Sequence, residues 1–233
     1  MRISSKIGIW LALLLLVVIF SLPAVQASRA MSRMTSSQNN LKRIGVGLSN
    51  YNDVYSMLPL GADAGADGQP RNGWQVRLLP FLEGGVFIPI DFNYAWNDPF
   101  NAPYFKLRAP VWLVPGVKRV TDENGFALSH YAGNSHLFGI DYGASLGKIP
   151  AGGANTILAG EVAGGFSPWG RPANWRDPVR GLTGDQSSFG SDHPAGVQFV
   201  MCDGSVRIIE RHIDPSVLRA LATPAEIERE SDD

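Results

Sequence analysis

Residues 7–25 carry no charge and read Ile-Gly-Ile-Trp-Leu-Ala-Leu-Leu-Leu-Leu-Val-Val-Ile-Phe-Ser-Leu-Pro-Ala-Val. A helix that is apolar on every face has no side to show to water, so it must lie in a protein core or in lipid. At about 1.5 Å rise per residue, the run approaches the roughly 30 Å core of a bilayer. It therefore predicts membrane contact through residues 7–25. Two outcomes stay open. In the first the helix is kept as a single-pass anchor, with residues 1–28 as the anchor and 29–233 as one domain outside the cytoplasm. In the second, Val25-Gln26-Ala27 is a small-x-Ala site, and cleavage near Ala27 releases a secreted domain. The run is long for a signal peptide, which favours the anchor. Arg2 and Lys6 on one side nearly balance Arg29 and Arg33 on the other. The domain is placed outside because long C-terminal domains translocate largely regardless of flanking charge.

A second pattern follows the run. Met34, Leu41, Ile44, Leu48, Tyr51 and Tyr55 recur at helical spacing, with Gln38 as the one break in the seam. Gly45 and Gly47 weaken a helix here without ending it. The pattern predicts one long helix, whose first half is apolar all round and whose second half packs on a domain. The 26 Gly and 16 Pro predict many turns and short elements after it. A net charge of -1 excludes a phosphate-tracking surface, so no nucleic-acid partner is expected. Cys202 is the single cysteine, so the fold has no internal disulfide.

Further along, 61–73 reads as an exposed loop, 74–82 as a short apolar element, and 91–103 as turns holding buried aromatics. Residues 155–161 read as a strand, and 167–183 as an ordered Pro/Gly/Trp-rich loop. Asp203-Gly204 between 197–201 and 206–210 predicts a two-residue hairpin turn. That turn would pair Met201 with Val206 and Phe199 with Ile208, with those four on the core face, and set Val200 opposite Arg207 on the other. Asp214-Pro215 predicts a capped helix start, with Leu218 and Leu221 facing inward. The acidic residues 226–233 are expected to fray.

Several blocks together resemble a family. They are Leu-Pro-Ala-Val-Gln-Ala (22–27), Gln-Asn-Asn-Leu-Lys-Arg-Ile-Gly-Val-Gly-Leu-Ser-Asn-Tyr (38–51) and Gly-Trp-Gln-Val-Arg-Leu-Leu-Pro-Phe-Leu-Glu (73–83). Trp-Asn-Asp-Pro-Phe-Asn (96–101), Asn-Thr-Ile-Leu-Ala-Gly-Glu (155–161), His-Pro-Ala-Gly (193–196), Asp-Gly-Ser-Val-Arg (203–207) and Ile-Asp-Pro-Ser-Val-Leu-Arg-Ala-Leu (213–221) complete the set. In this order they are similar to a pseudopilin-like bacterial family of unknown function (DUF 1559). The resemblance implies an α+β fold, in which a long N-terminal helix packs on an antiparallel sheet as in type IV pilins and type II secretion pseudopilins. It implies no known enzyme activity and supplies no ligand or partner; self-association or pilin-like partners, and no cofactor, are the expectation for such a stem. Two features depart from the pattern. Residues 6–12 lack the Gly-Phe-Thr-Leu-x-Glu-like processing site of prepilins. Ser36-Ser37 and Val114-Pro115-Gly116 stand where family members often carry a cysteine pair.

Four constellations are candidates for chemistry. Gly143-Ala144-Ser145-Leu146-Gly147 matches a nucleophile elbow, but Lys148 to Gly153 bring Pro150 and two glycines where that elbow needs a helix, so a serine hydrolase is the remote reading. His193, Asp192, Asp203 and Glu161, with His130 and His136, offer metal or acid–base groups without a ligand spacing, and Glu161 is read as pairing with Arg207 or capping a sheet edge. Asn97, Asp98 and Asn101 carry the hard oxygens that a calcium ion takes. Trp96, Trp169 and Trp175 lie in loops. They suit a ligand-binding module, or the lid of a small core. The expected function is a non-enzymatic, membrane-anchored structural or interaction protein, with a secreted or anchored ligand-binding module as the alternative.

Overall fold

The computed structural model describes residues 2–65, 68–82 and 88–224, with side chains described from residue 22 onward. Helix α1 (Arg2–Tyr55) runs unbroken through Pro23. Most of the apolar run 7–25 lies outside the described side chains. Among the described residues no helix is long and apolar enough to cross a membrane.

The remaining elements are short, as the glycine and proline content predicts. A hairpin of β1 (Ala62–Ala64) and β2 (Pro70–Gly73) leads to α2 (Trp74–Leu78) and, after a 3-10 turn and a turn-rich stretch, α3 (Ala102–Phe105). Then come β3 (Leu128–Ser129), β4 (Tyr131–Asn134), β5 (Phe138–Gly139), β6 (Tyr142–Gly143) and β7 (Ile157–Glu161). After these follow β8 (Ser167–Pro168), β9 (Trp175–Arg176), β10 (Val197–Met201), β11 (Val206–Ile209) and α4 (Pro215–Ala222). Five strands make one sheet in the order β11-β10-β7-β4-β9. Its pairs are antiparallel except β4 with β9, so the expected α+β fold forms with a parallel edge.

The sheet sits between two layers. Leu41, Ile44 and Leu48 of α1 are fully buried in a core with Leu158 and Val200. On the other face Phe199 and Met201 pack with Phe189 and with Leu218 of α4. Apolar side chains therefore fill both faces of β7 and β10, in which every residue is buried. The helical stripe holds at its centre and fails at its end: Tyr55 is exposed and leans on Tyr51 at 4.5 Å between ring centroids. Asp214 caps α4 as expected, accepting from Ser216 N at 2.8 Å, and Leu218 is buried while Leu221 is half-buried.

Three local expectations change. Residues 61–73 form a strand pair rather than a simple loop, because Asp63 Oδ1 accepts from Asn72 N across it. In 91–103 Phe92, Tyr94 and Phe100 lie at the surface, and Trp96 packs against Phe126. The final hairpin is one residue out of the expected register: Val200 opposes Val206 and Phe199 opposes Arg207. Only Gly204 takes a positive φ, of 77°, while Asp203 does not. A two-residue type I′ turn needs both. The chain instead closes a three-residue turn, with Met201 N donating to Ser205 O and Asp203 Oδ1 accepting from Ser205 N. As a result Val200 and Val206 share the α1 face, and Ile208 sits at the surface.

Candidate functional site

The most unusual chemistry lies where α1 first meets the sheet. Counting back from Leu41 by one helical turn reaches position 37, so a side chain there must face the sheet. The residue is Ser37, and it is buried. Its hydroxyl donates to Oε1 of Glu161, the last residue of β7. Since that hydroxyl has one proton, the 2.8 Å contact between Ser37 Oγ and Tyr131 OH is a bond donated by the tyrosine. Asn40 Nδ2 in turn donates to the tyrosine at 3.5 Å. A directed chain, Asn40 to Tyr131 to Ser37 to Glu161, thus delivers one donor to a buried carboxylate.

The other carboxylate oxygen, Oε2, is buried without a hydrogen bond. So is Oε1 of the adjacent Gln198 on β10, whose amide nitrogen donates to Met34 O at 3.4 Å. Burial holds the Glu161 pKa above the usual carboxylate range. The Ser37 bond pulls it down, as do the nearby Ser191 hydroxyl and Gln198 backbone, although neither of these makes a well-formed bond to Oε2. The negative Asp192 pushes it further up. Burial likewise raises Tyr131, so the phenol stays protonated and serves as a donor.

Glu161 and Gln198 line a cleft of about 580 Å³ between α1, the 114–119 loop and the 190–194 turn. Arg33 of α1 and Lys118 and Arg119 of the loop put positive charge on its rim, and Asp192 puts negative charge there. His130 fixes the loop: its Nδ1 accepts from Val114 N at 3.0 Å, and its Nε2 then donates to Arg119 O at 2.8 Å. Burial lowers its pKa, in keeping with a neutral ring that ties the loop to β4. Ser37, Val114, Pro115 and Gly116 line the same cleft.

Of the sequence candidates, the structure brings Glu161, Asp192 and His193 to this one cleft. His193 shapes the turn, accepting from Ala195 N at 3.2 Å. Glu161 bonds to Ser37 rather than Arg207, because its side chain points to α1 while Arg207 is exposed on β11. Asp203 serves its hairpin, and His136 bonds to Asp177 at 3.1 Å. Among the described residues no three His, Cys, Asp or Glu side chains converge as a metal group. Asn101 is spent on its own loop: Oδ1 accepts from Asp91 N, and Nδ2 faces the carbonyls of Asp91, Tyr94 and Ala95. Asp98 caps Phe100 N, and Asn97 beside it is exposed. Ser145 precedes a single 3-10 turn, Leu146–Lys148, not the helix of a nucleophile elbow. Trp169 is buried in the main core with its Nε1 donating to Leu107 O, and it lines an apolar cavity of about 450 Å³ beside Leu82 and Val111; Trp96 and Trp175 are half-buried.

Ser37, Tyr131 and Gln198 carry no motif. The signal for Ser37 is a polar residue beside the helical stripe, next to Gln38, where the seam breaks in the sequence. The other two become visible only when β4 and β10 are placed on either side of β7.

Fold and cleft together define an α+β domain carried on one end of a long helix. The chain belongs to the family described as protein of unknown function (DUF1559), whose model matches residues 26–115 and 116–216. No curated protein and no solved structure matches it.

Proposed function

We propose that the protein is a membrane-anchored structural or interaction protein, with its domain displayed outside the cytoplasm and no enzymatic activity. One observation carries the reading. Residues 22–29 of α1 are exposed throughout, including Leu22 and Val25, although the helix continues unbroken into the domain. A helix segment without a packing partner gains little from burial and needs another support for its apolar end. The uncharged run 7–25 supplies that end, and a bilayer is the medium that suits it. A pilin-like stem follows from the same geometry. The missing prepilin processing site favours a fixed anchor over a filament subunit. The non-enzymatic reading draws on His130, both of whose ring nitrogens serve backbone groups, and on Ser145, which has no elbow.

The test is the mass of the mature N-terminus in fractionated cells. An intact or Met-trimmed chain in the membrane fraction, resistant to carbonate extraction, is the expected result. A mature start at Ser28 in a soluble fraction overturns the anchor.

A further inference from the structure

We infer that the cleft between α1 and the 114–119 loop is a binding site for a small zwitterionic amine of amino-acid or dipeptide size, with its ammonium seated between Glu161 and Gln198. The inference is independent of whether the stem is anchored.

The site is defined by what it lacks. Glu161 Oε2 and Gln198 Oε1 are both acceptors, both almost fully buried and neither with a formed hydrogen bond, although the Ser191 hydroxyl and the Gln198 backbone lie near the Glu161 carboxylate. A buried acceptor left unpaired costs free energy, and such groups in folded proteins are nearly always satisfied. Here two of them line one cleft. The one formed bond to the carboxylate, at the end of the Asn40–Tyr131–Ser37 chain, goes to the opposite oxygen and leaves Oε2 unbonded. A group filling the gap must therefore donate at least two hydrogen bonds.

Charge narrows the choice. The Glu161 carboxylate has no cationic partner among the described residues, and Asp192 adds a second negative charge nearby. A water molecule satisfies the two acceptors but not the charge. A metal ion would want more anionic ligands than converge here. A primary ammonium supplies three donors and one positive charge in a compact head. At the rim, Arg33, Lys118 and Arg119 face the same volume and suit a carboxylate at the ligand's other end. The volume, about 580 Å³, is within the usual range for small-molecule sites. Its walls are fixed: Ser37 is held by its bonds, and His130 ties down the loop. Both acceptor atoms are covered in the ligand-free chain, so the two side chains must part slightly to admit the ammonium while the backbone walls stay in place.

The test uses the full chain in a mild detergent and calorimetric titration with L-alanine, L-alanyl-L-alanine, N-acetyl-L-alanyl-L-alanine and propylammonium. At least one free amine should bind, and its N-acetyl counterpart should bind about tenfold more weakly or worse, as expected for loss of a charge-assisted hydrogen bond. Glu161→Gln should lose about tenfold in the same titration while keeping its fold, because glutamine has the same shape and still accepts from Ser37. Binding to the wild type should release protons when measured across buffers below neutral pH, since an ammonium stabilises the ionised carboxylate. If all free amines fail to bind at roughly 10 mM, or if Glu161→Gln binds them as well as the wild type does, the inference is overturned. Either result can be obtained whether or not the protein proves to be membrane-anchored.

Discussion

Replacing Gly45 with alanine sets two effects against each other. In a helix, alanine is favoured over glycine by about 0.8–1.0 kcal/mol, so an exposed site would gain stability. Gly45, however, is where α1 crosses β10. A Cβ built there falls 2.5 Å from Val200 Cγ2 and 3.5 Å from Gly204 Cα. Ordinary carbon contacts sit at about 3.5–4.0 Å, so Val200 must retreat by about 1 Å or more. It cannot do so cheaply, because β10 is hydrogen-bonded to β7 on one side and β11 on the other. Overpacking of this kind costs about 1–3 kcal/mol, and the tight contact places the cost towards the upper end, leaving a net loss of about 1–2 kcal/mol. At Gly47 the added Cβ meets only Leu82 Cδ2 at 3.1 Å and Leu78 Cδ1 at 3.3 Å, the ends of flexible side chains. Gly47→Ala should therefore be neutral or stabilising by up to about 1 kcal/mol. Urea unfolding of the full chain, followed by the fluorescence of the buried Trp74, Trp112 and Trp169, compares the two. A double-mutant cycle with Val200→Ala should recover a large part of the Gly45→Ala loss. If Gly45→Ala stabilises the protein as much as Gly47→Ala does, the close helix–sheet approach is wrong.

Two further outcomes follow from buried charges. The folded-state pKa of Glu161 lies above its unfolded value, so folding binds a proton there. The resulting penalty is absent at pH below the unfolded pKa. It grows as pH rises and is complete above the folded pKa. Glu161→Gln should therefore raise Tm at pH 8 and change it little at pH 4; an equal shift at both would refute the buried-carboxylate account. Arg176, almost fully buried, holds together two turns through the carbonyls of Gly164 at 2.6 Å, Gly165 at 3.0 Å, Asp185 at 3.1 Å and Ser188. Burial lowers its pKa to about 10, which leaves the guanidinium charged at neutral pH. Arg176→Met leaves those carbonyls without their donor and should cost about 2–4 kcal/mol, with new protease cuts near 164–165 and 185–188. An unchanged urea midpoint would show that water replaces the guanidinium.

Local signals accounted for much of the fold. The period of Leu41, Ile44 and Leu48 predicted the buried face of α1, because burial on a helix repeats with the turn of the helix itself. Asp214-Pro215 predicted the start of α4, because its cap needs atoms only two residues apart. Residues 155–161 predicted β7 for a similar reason. The final hairpin shows the limit of that kind of inference. Asp-Gly announced a turn between two strands, but its length depended on whether Asp203 took a positive φ. The Asx contact to Ser205, together with the packing of Val200 under Gly45, settled a register that composition leaves open.

The candidate site was less legible. Glu161, Asp192 and His193 stood out as titratable residues, but nothing in their spacing joined them to Ser37, 124 positions away from Glu161. Their meeting depends on α1 lying across β7 and β10, a contact made by apolar side chains that lie outside the cleft. The sequence alone determined the long helix, its uncharged run 7–25 and the absence of a disulfide, which follow from composition and period acting over a few residues. The α+β class came from the resemblance of its blocks to a family. Tertiary structure alone decided that Glu161 would be buried with one oxygen bonded and one free. A carboxylate's environment is set by whatever packs against it, and here that is a helix from the far end of the chain.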